Sequence, residues 1–391
     1  MSQYYFDHAA SAPRRDEVTE AMSQWMHGVV GNPSGSHRAA RDARRAVEEA
    51  RDEVASFVGA KPGGVIFTAG GTESCTLAVS GVAQTHRRSH EHTTLVISAI
   101  EHHAVIDAAR MMAEDYPTVE VREVAVDSDG VLDLEALHRT LDDSVAFVSV
   151  MATNNETGVL QPLDAVAAAV RDLGPGHVVT HTDAVAAAPW LDLAQFTSMI
   201  DAVSLCGHKL GGPVNSGALI LRRDLTLEAI MPGGGQERGR RGGTVDVAAC
   251  VGLAAAIACV RVEQLVGHDR VRAHQQRLRE VISSLPGATV TALGAATVPG
   301  TVHATFEGIA SDELLFLLDQ DGVCASAASS CSSGAAVASH VLAAMGVAPE
   351  RARGSLRLTM GHETTDEDVT AVVASLTRAV GRLVDESSPR S

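Results

Sequence analysis

Val203-Ser-Leu-Cys-Gly-His-Lys-Leu210 is an apolar run that stops abruptly in glycine, histidine and lysine, and a Gly211-Gly-Pro213 turn follows directly. An apolar strand with a lysine at its end delivers an amine to the edge of a sheet. Lysine in a desolvated pocket loses part of its ammonium solvation, so its amine becomes nucleophilic near neutral pH. The stretch also reads as a plain strand end with a solvated lysine, and its surroundings have to decide between the two.

Those surroundings alternate. Further apolar runs occur at 65–69, 94–99, 119–126, 145–152, 178–182 and 217–221, and helical patterns at 72–83, 104–114, 134–141 and 162–173 lie between most of them. Apolar strands spaced by helices predict an α/β fold with a mostly parallel, seven-stranded sheet covered on both faces. Only a short turn region joins 202–206 to 217–221, which predicts one antiparallel member. Upstream, 14–27 and 38–58 have helical spacing, the latter with Ala39, Ala43, Ala46, Val47, Ala50 and Val54 along one side. Downstream come a Gly/Arg-rich loop at 231–244, an apolar helical stretch at 247–266 and an amphipathic helix at 270–285. The remainder reads as a smaller α+β unit, with strands at 301–306 and 356–359 and helices at 311–321, 340–345 and 365–384. The expected division is a large domain at 14–260 and a small one built from 1–13 and 261–391, the latter carrying a loop of small residues at 325–338.

Composition narrows the function. A chain of 391 residues, 45% hydrophobic and 20% charged, has ample material for a core. Its 48 acidic residues outweigh 31 basic ones for a net charge of −17, and aromatics are 3%. That balance argues against direct nucleic-acid binding, Arg238, Arg240 and Arg241 being the local basic cluster. None of the six cysteines forms a Cys-x-x-Cys pair, so no metal site is indicated. No basic-then-apolar leader opens the chain, and no apolar run reaches the ~18 residues of a membrane span. The expectation is a cytoplasmic protein with reduced thiols and no membrane association, in which any special cysteine is reactive.

Polar residues cluster where the predicted strands end, the place where open α/β sheets gather ligands. Gly70-Gly-Thr-Glu-Ser74 opens a helix, so its backbone N–H groups suit a phosphate, although Gly-Gly turns before helices are common. Glu101-His-His103, Asn154-Asn-Glu-Thr-Gly158 and His181-Thr-Asp183 follow three other strands; singly they also read as an exposed histidine, a capped turn and a helix cap. Together they suit one task. An aldehyde cofactor with a phosphate and a pyridine nitrogen needs a lysine, an acid for the nitrogen, a phosphate cradle and a ring-stacking partner. Lys209, Asp183, the Gly70–Thr72 turn and His102 supply one each.

These motifs, with Gly207-His-Lys209, Gly233-Gly-Gly-Gln-Glu-Arg-Gly239 and Ser355-Leu-Arg357, resemble in order and over nearly the whole chain a class V, fold-type I pyridoxal-phosphate enzyme. The resemblance is to a cysteine desulfurase of the NifS/IscS kind. It implies pyridoxal 5'-phosphate as cofactor, Lys209 as the Schiff-base lysine and His208 beside it on the phosphate side. His102 matches the histidine that stacks on the ring and moves protons, and Asp183 the partner of the pyridine nitrogen. Gly71 and Thr72 match the phosphate cradle, Asn155 the asparagine near the phenolic oxygen and the substrate, and Arg357 the arginine that pairs with the substrate carboxylate. Thr244 resembles the residue that reaches the phosphate of a neighbouring subunit, which implies a homodimer. Cys331, eight residues before Ser339, matches the persulfide-forming cysteine on a mobile loop. Cys324 is expected to be packed.

The implied reaction turns L-cysteine into L-alanine, leaves sulfur on Cys331 and hands it to an acceptor protein. Three departures stand out. Ala186 replaces a usual glutamine, Cys206 replaces a usual phosphate-binding serine, and the tail is shorter than in the iron–sulfur housekeeping branch. The acceptor is therefore either an iron–sulfur scaffold or a dedicated enzyme of tRNA, DNA or natural-product sulfuration. Rival readings are a cysteine or selenocysteine C–S lyase on the same fold and a non-catalytic relative that only scaffolds others.

Overall fold

The computed structural model describes residues 3–174, 176–222, 225–328 and 339–387. Twelve strands are present among them: β1 (Tyr4–Tyr5), β2 (Val65–Thr68), β3 (Thr93–Ser98), β4 (Val119–Val124), β5 (Val145–Ser149), β6 (Val179–Asp183), β7 (Ala202–Cys206), β8 (Gly217–Leu221), β9 (Ala288–Val290), β10 (Thr301–Phe306), β11 (Val323–Cys324) and β12 (Ser355–Thr359). Seven of them form the main sheet in the order β2-β8-β7-β6-β5-β3-β4, with β8 antiparallel to both neighbours and the rest parallel. This is the mostly parallel sheet with one reversed member that the apolar runs predict.

Its inner strands are buried along their whole length because both faces are covered. Val65, Phe67, Val96, Val148, Val203, Leu205 and Ile220 face one core, packed with the helices Arg38–Phe57, Leu163–Leu173 and Val247–Val266. Ile66, Leu95, Ile97, Phe147, Leu219 and Leu221 face the other, under the helices Gly71–His86 and His103–Asp115. A fully buried leucine such as Leu205 contributes about 1.5–3 kcal/mol.

The helix Val247–Val266 corrects one expectation. At 20 residues with a mean hydropathy of 1.7 it is long and apolar enough to cross a membrane, where the sequence reading found no such run. Its buried residues, among them Leu253, Ala256, Ile257 and Val260, are spent instead on packing against the helices Asp16–Met26 and Arg38–Phe57. It also passes unbroken through residue 260, where the sequence reading divides the chain, and ends at Gly267 with φ +89°.

The C-terminal unit has its own core of Phe306, Leu314, Leu318, Leu356, Leu358, Val369 and Leu376 under the antiparallel sheet β12-β10-β9. Phe6 from the N-terminus belongs to this core, β1 pairs with β11, and Asp7 bridges to Thr359. The chain's start is thereby held against β12, beside Arg357.

Candidate active site

Because β2, β3, β5, β6 and β7 run the same way, their C-terminal ends share one edge of the sheet. A cavity of about 760 Å³ opens there, lined by Gly70, Gly71, Thr72, His102, Asn155, Asp183, Cys206, His208, Lys209 and Arg357. These ten residues, all singled out from sequence, therefore meet in one place. Thr244 does not line this cavity; with Arg241, Asn215 and Ser216 it lines a separate one of about 300 Å³. Cys331 lies outside the described residues, as does most of its loop. Ala328, just before that segment, lines the main cavity, and Ser339, just after it, is anchored by donating to Glu156 at 2.6 Å.

Lys209 sits on the one-turn 3₁₀ segment His208–Leu210 directly after β7. Its Nζ donates to the carbonyls of Ala9 and Ala10, the latter at 2.8 Å. Sequence reading missed this N-terminal contribution, since carbonyl acceptors leave no trace in side-chain identity.

The cradle begins at Gly70, whose φ of +152° and ψ of −177° belong to a region only glycine occupies readily. The chain turns there from β2 into the helix Gly71–His86 and aims that helix's N-terminus at the cavity. Gly217 allows the turn to sit close, since a Cβ on it would lie 2.7 Å from the Gly70 backbone. A Cβ on Gly71 would meet Val185 at 2.8 Å. Glu73, also at the cavity wall, is clamped by Arg241 through contacts of 2.7 and 3.2 Å. That is one use of the arginine cluster. Glu237, beside Arg238 in the same loop, forms a buried two-pronged pair with Arg51 at 2.8 Å for each bond.

His102 caps the helix His103–Asp115, its Nδ1 accepting from the Ala104 N–H at 3.1 Å. Burial lowers its pKa, Asp183 opposing and Lys209 adding to the effect. The ring is thus neutral at physiological pH, with its proton on Nε2. His208 is lowered to about 4 by burial and by Lys209, and its buried Nδ1 has no hydrogen-bond partner among the described residues. Cys206 is pushed up to about 11, chiefly by burial, so it stands as a thiol. Arg357 donates through Nη1 to the Asn155 carbonyl and through Nη2 to Asp7, each at 2.9 Å, while its buried Nε has no partner among the described residues.

Behind Asp183 lies a buried polar chain that sequence reading did not assign. Ser204, paired with Asp183 across β6 and β7, meets His181 at 2.9 Å; His181 meets Ser149 at 2.8 Å; Ser149 donates to Glu101 at 3.3 Å. Burial, then Asp183, raises Glu101 to about 8, and burial lowers His181 to about 3. Both are neutral at pH 7, so the chain behind Asp183 carries no charge of its own.

The donor set fits a phosphorylated pyridine aldehyde. A glycine turn at a helix N-terminus and the unpartnered His208 nitrogen suit a phosphate, Asp183 a protonated ring nitrogen, and Lys209 an aldehyde.

Comparison with known proteins agrees. The class V aminotransferase family model matches residues 4–372. An IscS-like cysteine desulfurase of Mycobacterium tuberculosis is 42% identical over 97% of this chain and 96% of its own. The cysteine desulfurase NifS of Azotobacter vinelandii is 35% identical over 98% and 94%. A solved NifS-like protein superposes with a TM-score of 0.90 at 30% identity, covering 97% of this chain and all of its own. The chain belongs to the class V aminotransferase family, within its cysteine desulfurase branch.

Proposed function

We propose that the chain is a pyridoxal-phosphate-dependent cysteine desulfurase that converts L-cysteine to L-alanine and carries the sulfur away as a persulfide on Cys331. The observation that carries this reading is the meeting of Lys209, Asp183, His102 and Arg357 in one cavity whose wall includes Ala328. Cys331 follows three residues later, within about 10 Å of chain reach.

Pyridoxal phosphate, when bound, supplies an aldehyde for amino groups and a cationic ring that takes up the electron pair released at Cα. The protein's own groups do the rest. Gly71, Thr72 and His208 hold the phosphate, with the Cys206 thiol a weak further donor. Asp183 keeps a proton on the ring nitrogen. Arg357 grips the substrate carboxylate with its remaining N–H groups, and Asn155 lies alongside. Lys209 and neutral His102 take and return the protons at Cα and Cβ. The Cys331 thiolate attacks the substrate sulfur, and an S–S bond forms as the Cβ–S bond breaks. The bonding pair goes to Cβ, which is protonated, so cysteine plus thiol gives alanine plus persulfide. Thr244, away from its own chain's cavity, suits a contact to the phosphate of a second copy in a homodimer. An acceptor protein then takes the sulfur.

The test is to give the holoenzyme radiosulfur-labelled L-cysteine and map the peptides. Label on the Cys331 peptide, with an equal amount of alanine, is expected, and Cys331→Ala should abolish both label and sulfur transfer. Sulfide release undiminished in Cys331→Ala would replace this reading with a C–S lyase.

A further inference from the structure

The helix Gly71–His86 has a second end. Its N-terminus faces the cofactor cavity, and 16 residues later, about 24 Å away, it closes on His86. His90 in the following turn and His177, just before β6, come to the same spot. Each offers one ring nitrogen, and the three atoms lie within 4.8 Å of one another. The rings stack face to face: His86 on His90 at 3.8 Å, His86 on His177 at 4.9 Å and His90 on His177 at 5.1 Å.

For His86 and His90, the role of each ring nitrogen follows from what lies behind it. His86 is 8% exposed, and its Nδ1 is 3.0 Å from the Thr93 hydroxyl. A proton donated there leaves Nε2 with its lone pair, and that buried atom has no hydrogen-bond partner among the described residues. His90 Nδ1 is 3.1 Å from the His86 carbonyl, which as acceptor likewise frees Nε2. A histidine whose second nitrogen is bonded to an oxygen is the arrangement found behind metal-bound imidazoles. Packing alone gives no reason to bury an unpaired lone pair against two more imidazoles.

We propose that His86, His90 and His177 form a three-histidine site for a divalent late first-row cation, zinc foremost, remote from the reaction. Imidazole suits zinc, nickel and copper over calcium or magnesium. Tetrahedral zinc with bonds of 2.0–2.1 Å needs its ligand nitrogens about 3.4 Å apart, within a side-chain rotation of the observed spacing. Exposure of His90 and His177 leaves the fourth position to water. The ion staples the end of the helix that forms the cradle to the loop that leads into β6 and Asp183.

Zinc alone, titrated calorimetrically into chelator-treated, buffer-exchanged holoenzyme, tests this. One equivalent per chain with a submicromolar Kd is expected, and zinc should raise Tm. His90→Ala and His177→Ala should each weaken that equivalent at least about thirtyfold, and Thr93→Val, which removes only the hydroxyl behind His86, about tenfold or more. His138→Ala, an exposed histidine elsewhere, should change nothing. Zinc binding that survives unaltered in both His90→Ala and His177→Ala, or a wild-type protein that retains none, overturns the proposal.

Discussion

Arg357 Nη2 and Asp7 Oδ1 meet at 2.9 Å across 350 residues of chain, and the pair fixes the guanidinium at the cavity wall. The bond directs Nη2 to one side and leaves the unpartnered Nε for an incoming carboxylate. Asp7→Ala should loosen the guanidinium and raise the KM for L-cysteine about tenfold with kcat little changed, since the carboxylate is held equally before and during the reaction. Arg357→Lys should cost more, about a hundredfold in kcat/KM, because an ammonium cannot hold Asp7, the Asn155 carbonyl and substrate in one plane. Steady-state kinetics on both variants checks this.

Glu101 makes folding stability depend on pH in a specific direction. Its carboxyl is fully buried and raised from 4.5 to about 8 by burial and then by Asp183. A carboxyl whose folded pKa exceeds its unfolded value contributes stability fully below pH 4.5 and loses it as pH rises to about 8. Glu101→Gln, neutral throughout, should flatten this fall, which amounts to a few kcal/mol on the order of one per pH unit. Denaturant midpoints for both proteins between pH 5 and 8 give the comparison. His181, lowered from 6.5 to about 3, pulls the other way below pH 6.5 in both proteins alike, costing stability as acid charges it.

The pair Arg51–Glu237 anchors the loop that carries Arg241 and leads to Thr244. Both side chains are almost wholly buried, and Glu237 also accepts the Phe67 N–H at 2.8 Å. Arg51→Met should strip the buried Glu237 of its partner, at about 3–5 kcal/mol. Arg51→Met with Glu237→Met should recover much of that loss, since well-packed apolar replacements of a buried pair are often neutral. Chemical denaturation with unchanged m-values reads out the difference.

How much of this was legible in the sequence follows from how local each feature is. Lys209, Asp183, His102 and Thr72 stand at strand ends, and apolar runs of four to six residues announce those ends, so fold and site could be read together. Asp7 could not be read as part of the site, because its place comes from the pairing of β1 with β11 and of residue 7 with Thr359. The strand β9 has three residues and the helix Pro349–Ala352 four, too short to show a period. The helix Val247–Val266 runs through residue 260 in pattern as well as in structure, so no local signal marks a domain boundary there. His86 and His177 are far apart in sequence and meet only once the sheet is assembled, so no spacing rule finds a cluster there.

Ala186 sits at the junction of two cavities, the one of about 760 Å³ that holds Lys209 and a neighbouring one of about 420 Å³ lined also by His8, Trp190 and His362. The resemblance to the desulfurases puts glutamine here, as a donor to the cofactor's phenolic oxygen. Ala186→Gln should restore that donor and favour the deprotonated oxygen. A neutral hydrogen bond contributes about 0.5–1.5 kcal/mol, so the pH at which the holoenzyme's visible band interconverts should fall by about 0.4–1 unit. The substitution leaves Arg357 itself in place, so the KM for L-cysteine should change little. An unchanged titration would show that a glutamine at this position does not reach the oxygen.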